Sequence, residues 1–176
     1  AQGALAEKTL VATVMSNAGL DSAITAAGGK VLRTDVGDKN VTHRVARARA
    51  LVDLPPPVAR QLRGDELISR KGPVFQTAVV AGIMAAKRTS AIIPLCHPLG
   101  IEDCKIDIRV VRRRQVVIEC SVSMHGKTGV EMEALTGAVA AALTIYDMCK
   151  GLSHDIVIHD VRLLEKHGGK SDYVRP

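Results

Sequence analysis

Two short runs near the middle of the chain alternate apolar and polar residues without a break. From Cys104 to Val110, Cys104, Ile106, Ile108 and Val110 share one side while Lys105, Asp107 and Arg109 take the other. From Val116 to Met124, Val116, Ile118, Cys120, Val122 and Met124 oppose Glu119, Ser121 and Ser123. A period of two puts successive side chains on opposite faces of a strand, so both runs predict strands with one buried and one wet face. The polar stretch Arg112–Gln115 between them predicts a hairpin turn, with its arginines solvated.

Helical patterns flank this hairpin. Val74 to Ser90 is alanine-rich and free of internal proline, with Val79, Ile83 and Ala86 at helical spacing and Pro94 just beyond. Glu131 to Lys150 carries Met132, Leu135, Val139, Leu143 and Tyr146 at intervals of three and four, with Gly126 and Gly129 before it and Gly151 after it. Ile156 to Leu164 predicts a last strand, and Asp35 to Arg49, ahead of Pro55-Pro56-Pro57, contains a first one. Strand, helix, hairpin, helix, strand is the split βαβ order, which predicts an α+β, ferredoxin-like fold: an antiparallel sheet with its helices on one face. Upstream, Thr9 to Met15 reads as a strand, Ser16-Asn17 as a helix start, Gly28-Gly29 as its stop and Val31 to Val36 as a further strand. Residues 1–33 are thus expected to form an N-terminal extension, a small β-α-β unit, ahead of a domain over 34–176.

Composition narrows the function. The 176 residues carry 24 Lys and Arg against 18 Asp and Glu, a formal charge of +6, with 47% apolar residues. That is enough apolar content for a core. No run approaches the ~18 apolar residues of a membrane span, and no export signal is expected. Phe75, Tyr146 and Tyr173 are the only aromatics, too few for the stacking platforms of single-strand binders. The positive balance therefore suits compact phosphorylated ligands, or simply solubility. Cys96, Cys104, Cys120 and Cys149 form no C-x-x-C pair, a usage that fits a reducing cytoplasm rather than a disulfide framework.

Several residue groups could carry chemistry. Gly126-Lys127-Thr128-Gly129 precedes a helix, where backbone N–H groups and the helix dipole favour an anion; it also fits an ordinary strand-to-helix turn. Asp147 and Lys150, three apart on one helix face, can work as base and acid, or stand as a solvated ion pair. Tyr146, Met148 and Cys149 suggest apolar surroundings for that pair. Glu131 and Glu133 sit at the other end of the same helix, where acidic residues also favour the dipole. From Glu133 to Asp147 the axis runs about 21 Å at 1.5 Å per residue, so one small substrate cannot touch both. Either the ends serve different sites, or a second chain completes each pocket. In Leu95-Cys96-His97-Pro98, adjacent Cys and His make a poor zinc pair, whereas His97 could donate to an oxyanion, shuttle a proton, or be a plain loop residue. Lys71, Lys127, Lys150, Lys166 and Lys170 lie near element ends and could share a polyphosphate.

These residues together resemble a known family. Lys71-Gly72, AGIMAAKRTS (81–90), IPLCHPL (93–99), GKTGVEMEALT (126–136), AALTIYDMCK (141–150) and RLLEKHGGKS (162–171) are similar to the cyclic pyranopterin monophosphate synthases of molybdenum cofactor biosynthesis. Asp35-Val36 with Lys39, Thr42 and Arg44 resembles the family's opening pattern, so the resemblance covers roughly 35–172. It implies a lyase that converts 3′,8-cyclo-7,8-dihydroguanosine triphosphate into cyclic pyranopterin monophosphate and releases pyrophosphate, fed by a radical-SAM GTP cyclase. It further implies a cytoplasmic homohexamer, a trimer of dimers with inter-chain active sites, and no nucleic-acid or membrane partner. By the same resemblance Asp147 and Lys150 are the catalytic acid–base pair. Leu95, Cys96, His97, Met132, Glu133, Glu131, Lys71, Lys127, Lys166 and Arg44 would bind substrate. No protein-bound metal and no tightly bound cofactor are implied; Mg²⁺ could enter on the triphosphate. The competing expectation is a non-catalytic nucleotide- or RNA-binding scaffold on the same fold.

The front of the chain departs from that pattern. Arg33-Thr34 precede Asp35 where the family has Met-Val. Residues 8–37 instead resemble a short internal piece of phosphoglucosamine mutases, without the phosphoserine loop or metal aspartates, so mutase activity is not expected.

Overall fold

In a computed structural model, residues 9–13, 18–34, 41–111 and 114–176 are described. The chain divides into two compact units, 1–41 and 42–176. In the first, strand β1 (Thr9–Thr13), helix α1 (Ala18–Ala26) and strand β2 (Lys30–Thr34) follow in order, with β1 and β2 parallel, Thr9 opposite Lys30. Gly28, at φ +72°, ends the helix: its N–H donates to Thr25 O at 2.9 Å and that of Gly29 to Ile24 O at 2.9 Å, a turn that glycine reaches without Cβ strain. The predicted helix start at Ser16-Asn17 and the ends of the predicted strands at Met15 and Val36 lie outside the described residues.

The second unit contains β3 (Thr42–Asp53), α2 (Pro56–Ala59), β4 (Leu62–Arg63), β5 (Glu66–Ser69), β6 (Gly72–Pro73), α3 (Val74–Ala86), α4 (Thr89–Ile92), β7 (Asp103–Val111), β8 (Gln115–Gly126), α5 (Glu131–Cys149), β9 (Val157–His167) and β10 (Tyr173–Val174). The main sheet has the order β10-β9-β3-β8-β7, and every neighbouring pair in it is antiparallel. Leaving aside the short β10, this is the 4-1-3-2 order that a split βαβ repeat produces, as the sequence pattern predicts. The predicted hairpin is β7–β8, with Ile106 opposite Cys120 and Val110 opposite Val116. Of its arginine turn, Arg112 and Arg113 lie outside the described residues; the carbonyl of Arg114 accepts the Leu54 N–H at 2.7 Å.

One face of the sheet is small-residue and dry. Ala46, Ala48, Ala50 and Val52 of β3 point inward beside Ile118, Cys120 and Val122 of β8, and α5 lays Ala134, Ala138, Ala141, Ala142 and Ile145 over them. Alanine against alanine lets helix and sheet approach closely, so a few methyl groups set the spacing of the layer. The other face is ionic. Arg109 bridges Glu119 at 2.7 Å and Asp107 at 2.9 Å, Arg47 meets Glu165 at 3.3 Å, and Asp160 takes both Arg49 and Arg162. Asp160 sits at φ +52°, in a bulge where Asp160 and Val161 stand against the single residue Ala50.

Three details differ from the sequence pattern. The predicted helix over Val74–Ser90 is two helices: α3 stops at Ala86, and the Thr89 hydroxyl, buried, donates back to the Ala86 carbonyl at 2.9 Å. Strand β9 runs to His167, three residues past its apolar stretch. A small sheet, β4-β5-β6, fills the segment before α3, where nothing in the sequence analysis placed strands.

Candidate active site

Helix α5 separates two groups of polar side chains. Its last turn presents Asp147 and Lys150, and the two-residue turn between β5 and β6 brings Lys71 against them. Lys71 Nζ donates to Asp147 Oδ2 at 2.7 Å and to the Asp147 carbonyl at 3.2 Å; Lys150 Nζ lies 2.8 Å from Oδ1. Each carboxylate oxygen thus has its own ammonium. Lys150, then Lys71, holds the Asp147 carboxyl down at about 2, and Asp147 in turn raises Lys150. At neutral pH the cluster is one carboxylate between two cations, with net positive charge left over for an anion. It borders a cavity of about 340 Å³ lined by Ser69, Arg70, Lys71, Asp147, Met148, Lys150, Gly151 and Leu152.

The surroundings are wetter than the neighbouring residues suggest. Asp147 and Lys150 are half exposed, while Met148 and Cys149 point the other way into the core. Burial pushes the Cys149 thiol up to about 11. The helix periodicity that hides residues 148 and 149 is what turns Asp147 outward.

The other end of α5 carries Glu131, Met132 and Glu133. Glu133 is 4% exposed, and burial, with a smaller push from Glu131, raises its carboxyl above the usual range. Glu131 folds its carboxylate over Gly129 and pairs with Lys166 of β9 at 3.2 Å. Met132 is partly exposed, and Lys127 stands on the loop in front of the helix.

Arg44, in the inward-facing row of β3 and 1% exposed, ties this end together. Its guanidinium donates to Gly126 O at 3.1 Å and Lys127 O at 3.5 Å, and to Gly168 O. Thr42 Oγ1 donates to the same Gly168 carbonyl at 2.7 Å. Gly168, at φ +85°, lies so close to the His43 carbonyl that a Cβ would collide with it. The loop with Lys127 and the end of the strand with Lys166 are therefore held by one buried cation. The carbonyls of Gly126 and Lys127 face Arg44, which leaves their orientation set from within.

Leu95, Cys96 and His97 follow α4. Leu95 is 94% exposed, Cys96 half-buried and His97 exposed. The far end of their loop is fixed near Lys127, since Glu102 accepts the His125 N–H at 3.1 Å and meets its Nδ1 at 2.9 Å. The sequence-predicted residues thus fall into two sets. Lys71, Asp147 and Lys150 meet at one end of α5; Arg44, Lys127, Glu131, Met132, Glu133 and Lys166 gather at the other, and the chain from Leu95–His97 leads on to Glu102, which pairs with His125. Within one chain the two sets do not meet. Sequence reasoning did not single out Ser69 and Arg70, which lie in a hairpin too short to show a period, and it named Thr42 and the Gly168 segment only within the family pattern, because the contact that joins them spans 126 positions.

A ferredoxin-like α+β protein with a carboxylate held between two lysines defines the class, and comparison with known proteins gives the family. The MoaC family matches residues 33–169, and the chain belongs to it. Residues 1–52 match the alpha/beta/alpha domain III of phosphoglucomutase/phosphomannomutase, in line with the resemblance of residues 8–37. Relatives include a cyclic pyranopterin monophosphate synthase of Xanthomonas campestris pv. campestris (strain B100), 53% identical over 138 residues, which cover 78% of this chain and 84% of the relative. One from Desulfitobacterium hafniense is 48% identical over 145 residues, 82% of this chain and 88% of that protein. The molybdenum cofactor biosynthesis protein 1 of Dictyostelium discoideum is 48% identical over 166 residues. They cover 85% of this chain but only 26% of that protein.

Proposed function

We propose that the chain is a cyclic pyranopterin monophosphate synthase, a lyase of molybdenum cofactor biosynthesis. It converts 3′,8-cyclo-7,8-dihydroguanosine triphosphate into cyclic pyranopterin monophosphate and expels pyrophosphate. The observation that carries this reading is the Lys71–Asp147–Lys150 cluster, on top of the family membership. Opening and rebuilding a purine ring needs protons delivered and removed at ring nitrogens. Lys150, kept as an ammonium by Asp147, is suited to donate one, and Asp147 holds both lysines in place. Lys71, Lys127 and Lys166 supply positive charge for the triphosphate and for the pyrophosphate that leaves. Cys96, His97, Met132 and Glu133, with Leu95 and Glu131 beside them, line the ring end of the substrate. Arg44 shapes the loops around them.

The two ends of α5 are too far apart for one ligand, so the pocket is composite: the Asp147 end of one chain faces the Glu133 end of another. A homohexamer built from dimers satisfies this arrangement. The residues from 34 onward form the catalytic domain and 1–33 an extension to it. The substrate is supplied by a radical-SAM GTP cyclase in the cytoplasm. Among the described residues no helix is long and apolar enough to cross a membrane.

The test is a single-turnover incubation of the purified chain with the cyclised dihydro-GTP intermediate, following pterin and pyrophosphate together. Both products form with the wild-type chain and neither with Asp147→Asn. Absence of both products from an assembled hexamer would refute the reading.

A further inference from the structure

Helix α3 begins after Pro73, a residue with no side-chain oxygen to cap it, so its first N–H groups need acceptors from elsewhere. Glu66, at the start of β5, provides them. Its Oε1 accepts the N–H of Phe75 at 2.7 Å and that of Leu67 at 2.7 Å, and its Oε2 that of Gln76 at 3.2 Å. A carboxylate at this end of a helix also lies favourably in the dipole, and its hydrogen bonds are charge-assisted. Glu66 thereby ties β5 of the β5–β6 hairpin to the first turn of α3, which Pro73 leaves without a side-chain cap.

Lys71 stands at the tip of that hairpin. The turn below it is braced by Ser69, whose hydroxyl accepts the Lys71 N–H at 3.1 Å. Farther along, α3 lies directly on α5, where a Cβ on Gly82 would stand 2.8 Å from the Gly137 carbonyl and 3.3 Å from Ala141 Cβ. A continuous set of contacts therefore runs from Glu66 through the hairpin to Lys71, and from Glu66 along α3 to its crossing with α5, the helix that carries Asp147. Leu67, Val74 and Phe75 are buried on both sides of the joint, so apolar packing keeps the hairpin folded while Glu66 fixes its angle.

We infer that Glu66 is a positioning residue for the candidate active site, fastening the Lys71 hairpin to α3 so that the Lys71 ammonium reaches the Asp147 carboxylate. Its importance for turnover rests on the synthase reading; its effect on the geometry does not.

The test separates the two. The charged groups facing Asp147 are Lys150 on its own helix and Lys71 from the hairpin, with Arg70 on the cavity wall. The Asp147 carboxyl is titrated by NMR, without substrate, in the wild type, Glu66→Gln, Lys71→Met and the double variant. Lys71→Met raises the midpoint from about 2 toward the ordinary 3.8. Glu66→Gln is expected to produce at least half of that rise, and no further rise in the Lys71→Met background. Glu66→Asp, which keeps the charge but withdraws it by one methylene, is expected to give a smaller rise and serves if the glutamine variant does not fold. An unmoved midpoint in a folded Glu66 variant overturns the inference, as does an equal rise with and without Lys71. With substrate, Glu66→Gln lowers kcat about tenfold, the scale of a modest displacement of a catalytic group. A wild-type chain that makes no product would strike the synthase reading and leave the titration result standing.

Discussion

Gly82 of α3 and Gly137 of α5 meet with no side chain between them: a Cβ on Gly82 would stand 2.8 Å from the Gly137 carbonyl oxygen, and one on Gly137 3.3 Å from that of Gly82. Gly82→Ala must push the helices apart, and its new methyl also meets Ile106 Cδ1 at 2.7 Å. Overpacking of this kind costs about 1–3 kcal/mol. Chemical denaturation should show that loss with an unchanged slope against denaturant; a wild-type midpoint would mean the helices slide without cost.

Lys150→Ala should leave the chain folded, because the pair it belongs to is half exposed and such pairs add little stability. Turnover is expected to fall about 10²–10⁴-fold, the usual worth of a positioned acid–base group. The Asp147 midpoint rises from about 2 at the same time, since Lys150 is the larger of the two influences on it. Product assay and carboxyl titration read the two effects independently.

Glu133 has the opposite electrostatics. Its folded carboxyl titrates above the ordinary 4.5, so the folded state holds that proton more tightly than the unfolded chain does. As pH rises through 4.5 the unfolded chain ionises first, and this group's contribution to stability falls until the folded carboxyl has ionised too. Glu133→Gln removes the loss. The variant's stability relative to wild type should therefore be greater at pH 7 than at pH 4, by denaturation at both. A difference that is the same at the two pH values would contradict the assignment.

A composite pocket makes a mixing experiment informative. Asp147→Asn chains and His97→Ala chains are each expected to be nearly inactive alone. Unfolded and refolded together with random pairing, they should regain about a quarter of wild-type activity: half of the dimers are mixed, and one of the two pockets in each is intact. No recovery would place both residues in a pocket built by a single chain.

Residues 42–176 hold the whole main sheet and both groups of site residues. A chain starting at Thr42 should turn over within about twofold of the full chain and keep its thermal transition, as expected of a unit with its own core. A large loss would give the first unit a part in folding or assembly.

The alternation in β7 and β8 was legible because one face carries isoleucine, valine and cysteine while the other carries charged and hydroxyl residues, and the 4-1-3-2 sheet order followed from that hairpin and its flanking helices. The Asp147–Lys150 ion pair was legible as an i,i+3 spacing, but its contact with Lys71 was not: Lys71 and Asp147 are 76 positions apart, and only the folded hairpin joins them. That hairpin was invisible because β4 and β6 are two residues each, too short to show a period. Arg44 did leave a trace. It occupies the same inward row as Ala46, Ala48 and Ala50, and an arginine in an alanine row has to find acceptors inside the protein. The break after Ala86 had none, since a buried threonine hydroxyl turning back on the helix looks in sequence like one more helical residue.

The glycine crossing also gives α5 a fulcrum. Gly137 lies about 6 Å from Glu133 and about 15 Å from Asp147 along the axis, so the helix is a lever with arms of unequal length. Any tilt about the crossing carries its two ends in opposite directions, and Asp147 travels about two and a half times as far as Glu133. A displacement forced at the crossing, such as the one a methyl on Gly82 would cause, is therefore felt more at the Asp147 end of the helix than at the Glu133 end.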